Sequence, residues 1–121
     1  MNIFKRLFRK AAVIVVTLYA NYTYHKGVEA AQLRHAREHT TIYLAAKTFH
    51  PDRLATYDKA QFKAEKRVFG MAAQLLTMNT LRSQCYYHTA DRFGKGGMSG
   101  RDIDIRRKAF VKERLRLAGL I

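Results

Sequence analysis

Tryptophan is absent from the 121 residues, and cysteine and proline each occur once. The single cysteine, Cys85, excludes an intramolecular disulfide framework and argues against a cysteine-based zinc site; it fits a reducing compartment. With one proline, Pro51, and with glycine sparse outside residues 94–100, few positions break a helix, so the composition favours helices. Acidic residues are also scarce. Nine Asp and Glu face 23 Lys and Arg, for a net charge of +14, and the first acid is Glu29. So basic a surface calls for an anionic neighbour: phospholipid headgroups, nucleic acid or an acidic protein. A hydrophobic fraction of 48% excludes a disordered basic tail. The length suits one domain.

What is present begins with the opening, MNIFKRLFRKAAVIVVTLYANYTYHKG. Ala11 to Tyr24 carries no formal charge; Lys5, Arg6, Arg9 and Lys10 precede it, and His25 and Lys26 follow. Fourteen helical residues reach only about 21 Å, against a hydrocarbon core of about 30 Å. Ile3, Phe4, Leu7 and Phe8 add apolar surface, lysine and arginine stems snorkel, and Tyr19, Tyr22 and Tyr24 suit an interfacial belt. The expectation is a membrane anchor, single-pass or lying in the interface. Its contact residues would be Phe4, Leu7, Phe8, Val13, Ile14, Val15, Val16, Leu18, Tyr19, Tyr22 and Tyr24. The stronger basic cluster would keep the N-terminus inside. Competing readings are a cleaved signal or transit peptide, or a buried element of a soluble domain, for which VIVVT would serve as a strand. Leu18-Tyr19-Ala20 meets only one of the two small-residue requirements for cleavage.

After Gly27, which interrupts the pattern, residues 28–49 read as a helix with Leu33, Ala36, Ile42, Ala45, Ala46 and Phe49 near one side. Pro51 ends it and opens a second helix, running to Leu81. In that second helix Phe62, Phe69 and Leu76 recur every seven residues, while Gly70 weakens the pattern. FGKGGMSG, residues 93–100, is a linker, and a basic helix spans about 101–118 with Ser99 and Asp102 at capping-box spacing. Ile103, Phe110, Leu117 and Ile121 share one of its sides. The expected fold is therefore all-α. An N-terminal hydrophobic helix at 1–26 leads to a helical hairpin or small bundle at 27–93. A Gly-rich linker at 94–100 and a basic C-terminal helix at 101–121 complete it.

HAREH sets His35, Glu38 and His39 in the order H-x-x-E-H, which resembles the inverted motif of zinc proteases. The resemblance implies two histidine ligands and a glutamate base, with Glu113 as the later acidic partner. Those enzymes are much larger domains, so a polar helix face is the preferred reading and no metal is expected.

His50-Pro51-Asp52 resembles the signature of J-domain cochaperones. Gly27-Val28 before it, the apolar positions Ile42, Ala45, Ala46 and Phe49, the aromatics Phe62 and Phe69, and DRFG at 91–94 extend the likeness over residues 22–94. It implies a triad between two antiparallel helices and Hsp70 as partner. Glu65 stands where that family carries a buried aliphatic residue, and the preceding helix lacks a dense basic face.

Gly94, Gly96, Gly97 and Gly100, beside Lys95 and Arg101, have the makings of an anion-binding nest, but fit neither phosphate-loop spacing; a hinge is the simpler account. The last segment mixes Arg106, Arg107, Lys108, Lys112, Arg114 and Arg116 with Phe110, Leu115 and Leu117. With Lys5, Arg6, Arg9 and Lys10, these six are the expected contacts to an anionic surface. No nucleophile has a base at motif spacing, so catalysis and cofactors are not expected. The leading function is a small, basic, membrane-anchored, non-enzymatic binding or assembly protein with a protein partner. The alternatives are a soluble nucleic-acid-binding or virion-associated protein and the J-like cochaperone.

Overall fold

The computed structural model describes residues 2–47, 50–68 and 78–121. Asn2 caps the first helix, its side-chain oxygen accepting from the Phe4 N–H at 3.0 Å and satisfying a donor that every helix start leaves unpaired. From there α1 runs over Ile3–Glu38, 36 residues without a break. Gly27 does not interrupt it. A Cβ at Gly27 would lie 2.9 Å from both Leu44 methyl carbons, so the residue is a notch that lets Leu44 approach the helix backbone. α1 stops at His39, which adopts the left-handed region (φ 55°) and returns its N–H to the His35 carbonyl at 2.8 Å.

Beyond His39 the all-α expectation fails. Residues Tyr43–Lys47 (β1), His50–Tyr57 (β2) and Tyr87–His88 (β3) form an antiparallel sheet in the order β2-β1-β3. Thr40, Thr41 and Ile42 are β-branched and lose side-chain freedom in a helix. Side chains of 42–45 then alternate. Ile42 and Leu44 join Ala20, Tyr24 and Ala31 of α1, together with Tyr87 and Phe110; Tyr43 and Ala45 turn the other way, to Phe62, Leu81 and Cys85. A strand buried on both faces gives a continuous apolar run, and Ile42, Ala45 and Ala46 also satisfy helical spacing, hence the helix in the sequence reading. Phe49 lies outside the described residues.

Pro51 likewise opens no helix. It lies near the start of β2, an edge strand, where pairing jumps from Ala46↔Leu54 to Lys47↔His50, so a bulge accommodates a residue that has no N–H. The next helix, α2 (Lys59–Val68), starts from a reciprocal cap: Asp58 Oδ1 accepts from the Gln61 N–H at 2.8 Å, and Gln61 Oε1 accepts from the Asp58 N–H at 3.0 Å. α3 (Met78–Gln84) leads into β3. Of the seven-residue seam, Phe62 is buried; Phe69 and Leu76 lie outside the described residues, as does Gly70.

The glycine-containing segment before the last helix is folded on Asp91. Its carboxylate accepts from the N–H groups of Phe93 (2.8 Å) and Lys95 (3.0 Å), and its own N–H donates to the Lys95 carbonyl. α4 (Gly100–Leu117) follows, with the Ser99 hydroxyl accepting from the Asp102 N–H as its spacing predicts. Gly119 (φ 73°) closes α4: its N–H reaches the Arg116 carbonyl and that of Leu120 the Leu115 carbonyl, the double bond of a Schellman end. α4 packs along α1 through Phe110, whose ring centroid lies 6.1 Å from that of Tyr24 and 5.2 Å from that of Tyr86.

Among the described residues no helix is long and apolar enough to cross a membrane, so the expected transmembrane segment is withdrawn. The uncharged run is too short for the hydrocarbon core. It is also divided between two environments: Ala20 and Tyr24 are buried in the protein, and Val13 and Val16 are half-buried.

Candidate membrane-docking face

The remaining anchor residues share a different fate. Phe4, Leu7, Phe8, Ile14, Val15, Leu18, Tyr19 and Tyr22 are all exposed, Phe8 by 76% and Leu18 by 65%. At 100° per residue they fall, with Ala11, within an arc of about 140° on α1. Ala20, Tyr24 and Ala31, the buried residues of the same helix, lie on the opposite side. α1 is thus apolar on two faces, one used to build the core and one uncovered. Lys26 over the Tyr22 ring (5.7 Å to the centroid) and its ion pair to Glu29 (3.5 Å) end the uncovered stripe.

Lys5, Arg6, Arg9 and Lys10 are exposed on the other side of the first turns. Arg9 also donates to the Leu120 carbonyl at 2.9 Å, tying the end of the chain to α1. The helix therefore has an apolar arc backed by cations over its first turns.

The six cations of α4 named as contacts to an anionic surface differ in their surroundings. Arg106 points inward and donates to the carbonyls of Arg82 and Cys85, the latter at 2.9 Å. Arg107 reaches Asn21 Oδ1 and Asp104 Oδ1 (2.5 and 2.6 Å), and Lys108 also pairs with Asp104, whose carboxyl they hold below its usual range. Arg116 pairs with Glu113 and lowers that carboxyl's pKa in turn. Arg114 donates to the Asp52 carbonyl and lies over the Tyr19 ring, 5.5 Å from its centroid. Among the described residues, Lys112 alone of the six makes no side-chain hydrogen bond or ion pair, and it is exposed.

His50, Pro51 and Asp52 are exposed at the start of β2. They sit in a strand pair, so the two-helix setting implied by the J-domain resemblance is not formed. Of the zinc-protease-like residues, Glu38 pairs with Arg34 at 2.5 Å, which lowers its pKa, and His35 Nδ1 lies 2.7 Å from the Thr40 carbonyl. Among the described residues no three His, Cys, Asp or Glu side chains are placed to hold a metal. In the glycine segment the Asp91 carboxylate accepts from the N–H groups of Phe93 and Lys95, and the Gly94 N–H donates to the Asp91 main-chain carbonyl.

Sequence reasoning missed one cluster. Lys47 and Arg53 line an open cleft of about 410 Å³ with Tyr19, Thr23, Asp52 and Arg114. Four segments distant in the chain supply it, and no spacing rule connects them.

No family model, curated protein or solved structure matches the chain. What defines the molecule is therefore its own architecture: a three-stranded antiparallel sheet between two helical layers, with one helix carrying an uncovered apolar face.

Proposed function

We propose that this is a non-enzymatic binding protein that lies on an anionic membrane surface, with α1 in the interfacial plane and the sheet with α2 and α3 turned to a protein partner. The observation that carries the reading is the eight large apolar side chains exposed along one arc of α1, opposite the face that α1 uses for its own core. An apolar patch of this kind marks an interaction site. The net charge of +14 and the absence of acids before Glu29 make the complementary surface an anionic one. An in-plane helix does not need the length that a spanning helix needs.

Vesicle flotation of the full chain tests it. The chain should float with phosphatidylglycerol-containing vesicles, and more weakly with phosphatidylcholine alone. Val15→Asp with Leu18→Asp should reduce binding at least about tenfold, since each removes an apolar side chain worth about 1.5–3 kcal/mol when buried. Both residues are exposed, so helix content should persist. A chain that remains in the buffer layer with every vesicle sinks the proposal. So does a stable dimer in lipid-free buffer that the same substitutions dissociate, because the stripe would then belong to a second copy.

A further inference from the structure

The cleft beside Tyr19 bears on which lipid that surface would select. The geometry points to a site for the phosphate of an anionic phospholipid headgroup, formed by Thr23, Lys47, Arg53 and Arg114 at the edge of the α1 stripe. The inference rests on the membrane reading above and adds a headgroup contact to it.

Its position comes first. Tyr19 belongs both to the exposed stripe and to the cleft wall. Thr23, one turn on, is rotated about 40° further from the stripe. With the stripe immersed, the cleft opens on the flank of α1, at the depth where headgroups lie. Tyrosine, apolar in its ring and polar at its tip, is suited to that boundary.

The charge comes second. Three cations from β1, β2 and α4 meet one carboxylate, Asp52. Arg114 is held in place by the Asp52 carbonyl and the Tyr19 ring. Among the described residues neither Lys47 nor Arg53 is paired with a carboxylate, and both are exposed. The bulge at Ala46/Lys47 contributes: Asp52, Arg53 and Leu54 are consecutive yet all line the cleft, which a regular strand, with alternating sides, would not allow. A phosphate there would receive charge-assisted hydrogen bonds from Lys47 and Arg53, with the Thr23 hydroxyl as a further donor.

Neighbouring basic regions are less suited. The cleft on the other flank, between Thr17, Asn21 and α4, has Arg107 and Lys108 already engaged with Asn21 and Asp104, which leaves Lys112, among the described residues, as its one unengaged cation against two in the cleft beside Tyr19. Arg6, Arg9 and Lys10 come from α1 alone, and Arg9 is already engaged with the Leu120 carbonyl.

The test uses the full chain with vesicles of phosphatidylcholine alone and of phosphatidylcholine mixed with phosphatidic acid. Lys47→Ala with Arg53→Ala is compared with Lys95→Ala with Arg101→Ala, which removes the same charge from exposed positions outside the cleft. The cleft variant should bind phosphatidic acid vesicles about tenfold or more weakly than the parent; the control pair should lose about twofold. The exchange Lys47→Arg with Arg53→Lys should restore most of the loss. Equal losses in cleft and control variants overturn the inference while the membrane reading stands. A parent chain that binds no vesicle overturns both. Glycerol phosphate is the soluble arm: if it binds the parent and the Val15→Asp, Leu18→Asp variant equally well and displaces the parent from vesicles, the ligand is a free phosphate ester and the headgroup assignment is wrong.

Discussion

The Tyr24 hydroxyl donates to the Tyr86 main-chain carbonyl at 2.7 Å, linking residues 62 positions apart in the chain. The ring is 2% exposed and packs on Phe110, so one side chain joins α1, the start of β3 and α4. Tyr24→Phe keeps the packing and leaves the carbonyl without this donor. It should lower unfolding free energy by about 1–2 kcal/mol, read by urea denaturation. Burial pushes the Tyr24 hydroxyl up to about 12. The folded state thus holds this proton more tightly than the unfolded chain. Its contribution is complete below about pH 10 and is lost as pH rises from there towards 12. The Phe variant should show a smaller alkaline loss of stability.

Gly27 opposes two effects of similar size. Alanine gains up to about 1 kcal/mol in helix propensity. Its methyl would lie 2.9 Å from the Leu44 methyls, and Leu44 is 1% exposed, so overpacking should cost about 1–3 kcal/mol. Gly27→Ala is therefore expected to be destabilising by about 1 kcal/mol. Pairing it with Leu44→Val should recover part of that loss in thermal melts, whereas in a chain where Gly27 merely ended a helix the second change would add to the first.

Arg106 ties α4 to the end of α3 through the carbonyls of Arg82 and Cys85, and lies 3.4 Å from Cys85 Sγ. Arg106→Met should destabilise by about 2 kcal/mol, because carbonyls that accepted a charged donor lose it. Burial raises the Cys85 thiol to about 11, with Arg106 opposing the rise. The native parent should react with iodoacetamide at pH 8 far more slowly than the urea-unfolded chain, followed by mass spectrometry. Comparable rates would show that the thiol is not enclosed as described.

Two groups of side chains should make stability fall on acidification, in separate ranges. Burial lowers the His88 pKa below 6.5, with Arg106 and Arg82 also acting against its charge and the Thr89 carbonyl and Asp102 favouring it. The unfolded chain then binds the proton more readily. Stability is complete above about pH 6.5 and declines as pH drops through the folded-state value. The carboxyls of Glu38, Asp91, Asp104 and Glu113 are all lowered, mainly by hydrogen bonds from Arg34, the Lys95 N–H, Arg107 and Arg116 respectively. Their contribution is present above about pH 4.5 and lost below it. His88→Gln should remove the first decline and leave the second, as seen in urea midpoints between pH 7 and 3.

How much of this was legible beforehand differs by element. Ser99 and Asp102 announced the start of α4, whereas Gly27, which interrupts the pattern in the chain, lies within α1. The strands were hidden because β1 is buried on both faces, which erases the alternation that marks a half-exposed strand. Pro51 misled in the same region: a proline at the first turn of a helix and one in an edge-strand bulge follow from the same missing N–H. Among the basic residues, spacing identified the cations but not their partners. Arg106 and Arg114, which look like surface charges in the chain, serve as donors to main-chain carbonyls in the fold.

The sequence by itself determined the charge excess, the single thiol, the capped start of α4 and an uncharged opening run of fourteen residues. Those properties depend on composition and on neighbours within a few positions. Tertiary structure alone decided which side of that opening is covered. Ala20, Tyr24 and Ala31 find partners in the sheet and in α4, while Phe4, Phe8, Val15 and Leu18 find none among the described residues of this chain. A helix shows its periodicity locally, but which of two apolar faces is buried depends on contacts between residues far apart in the chain.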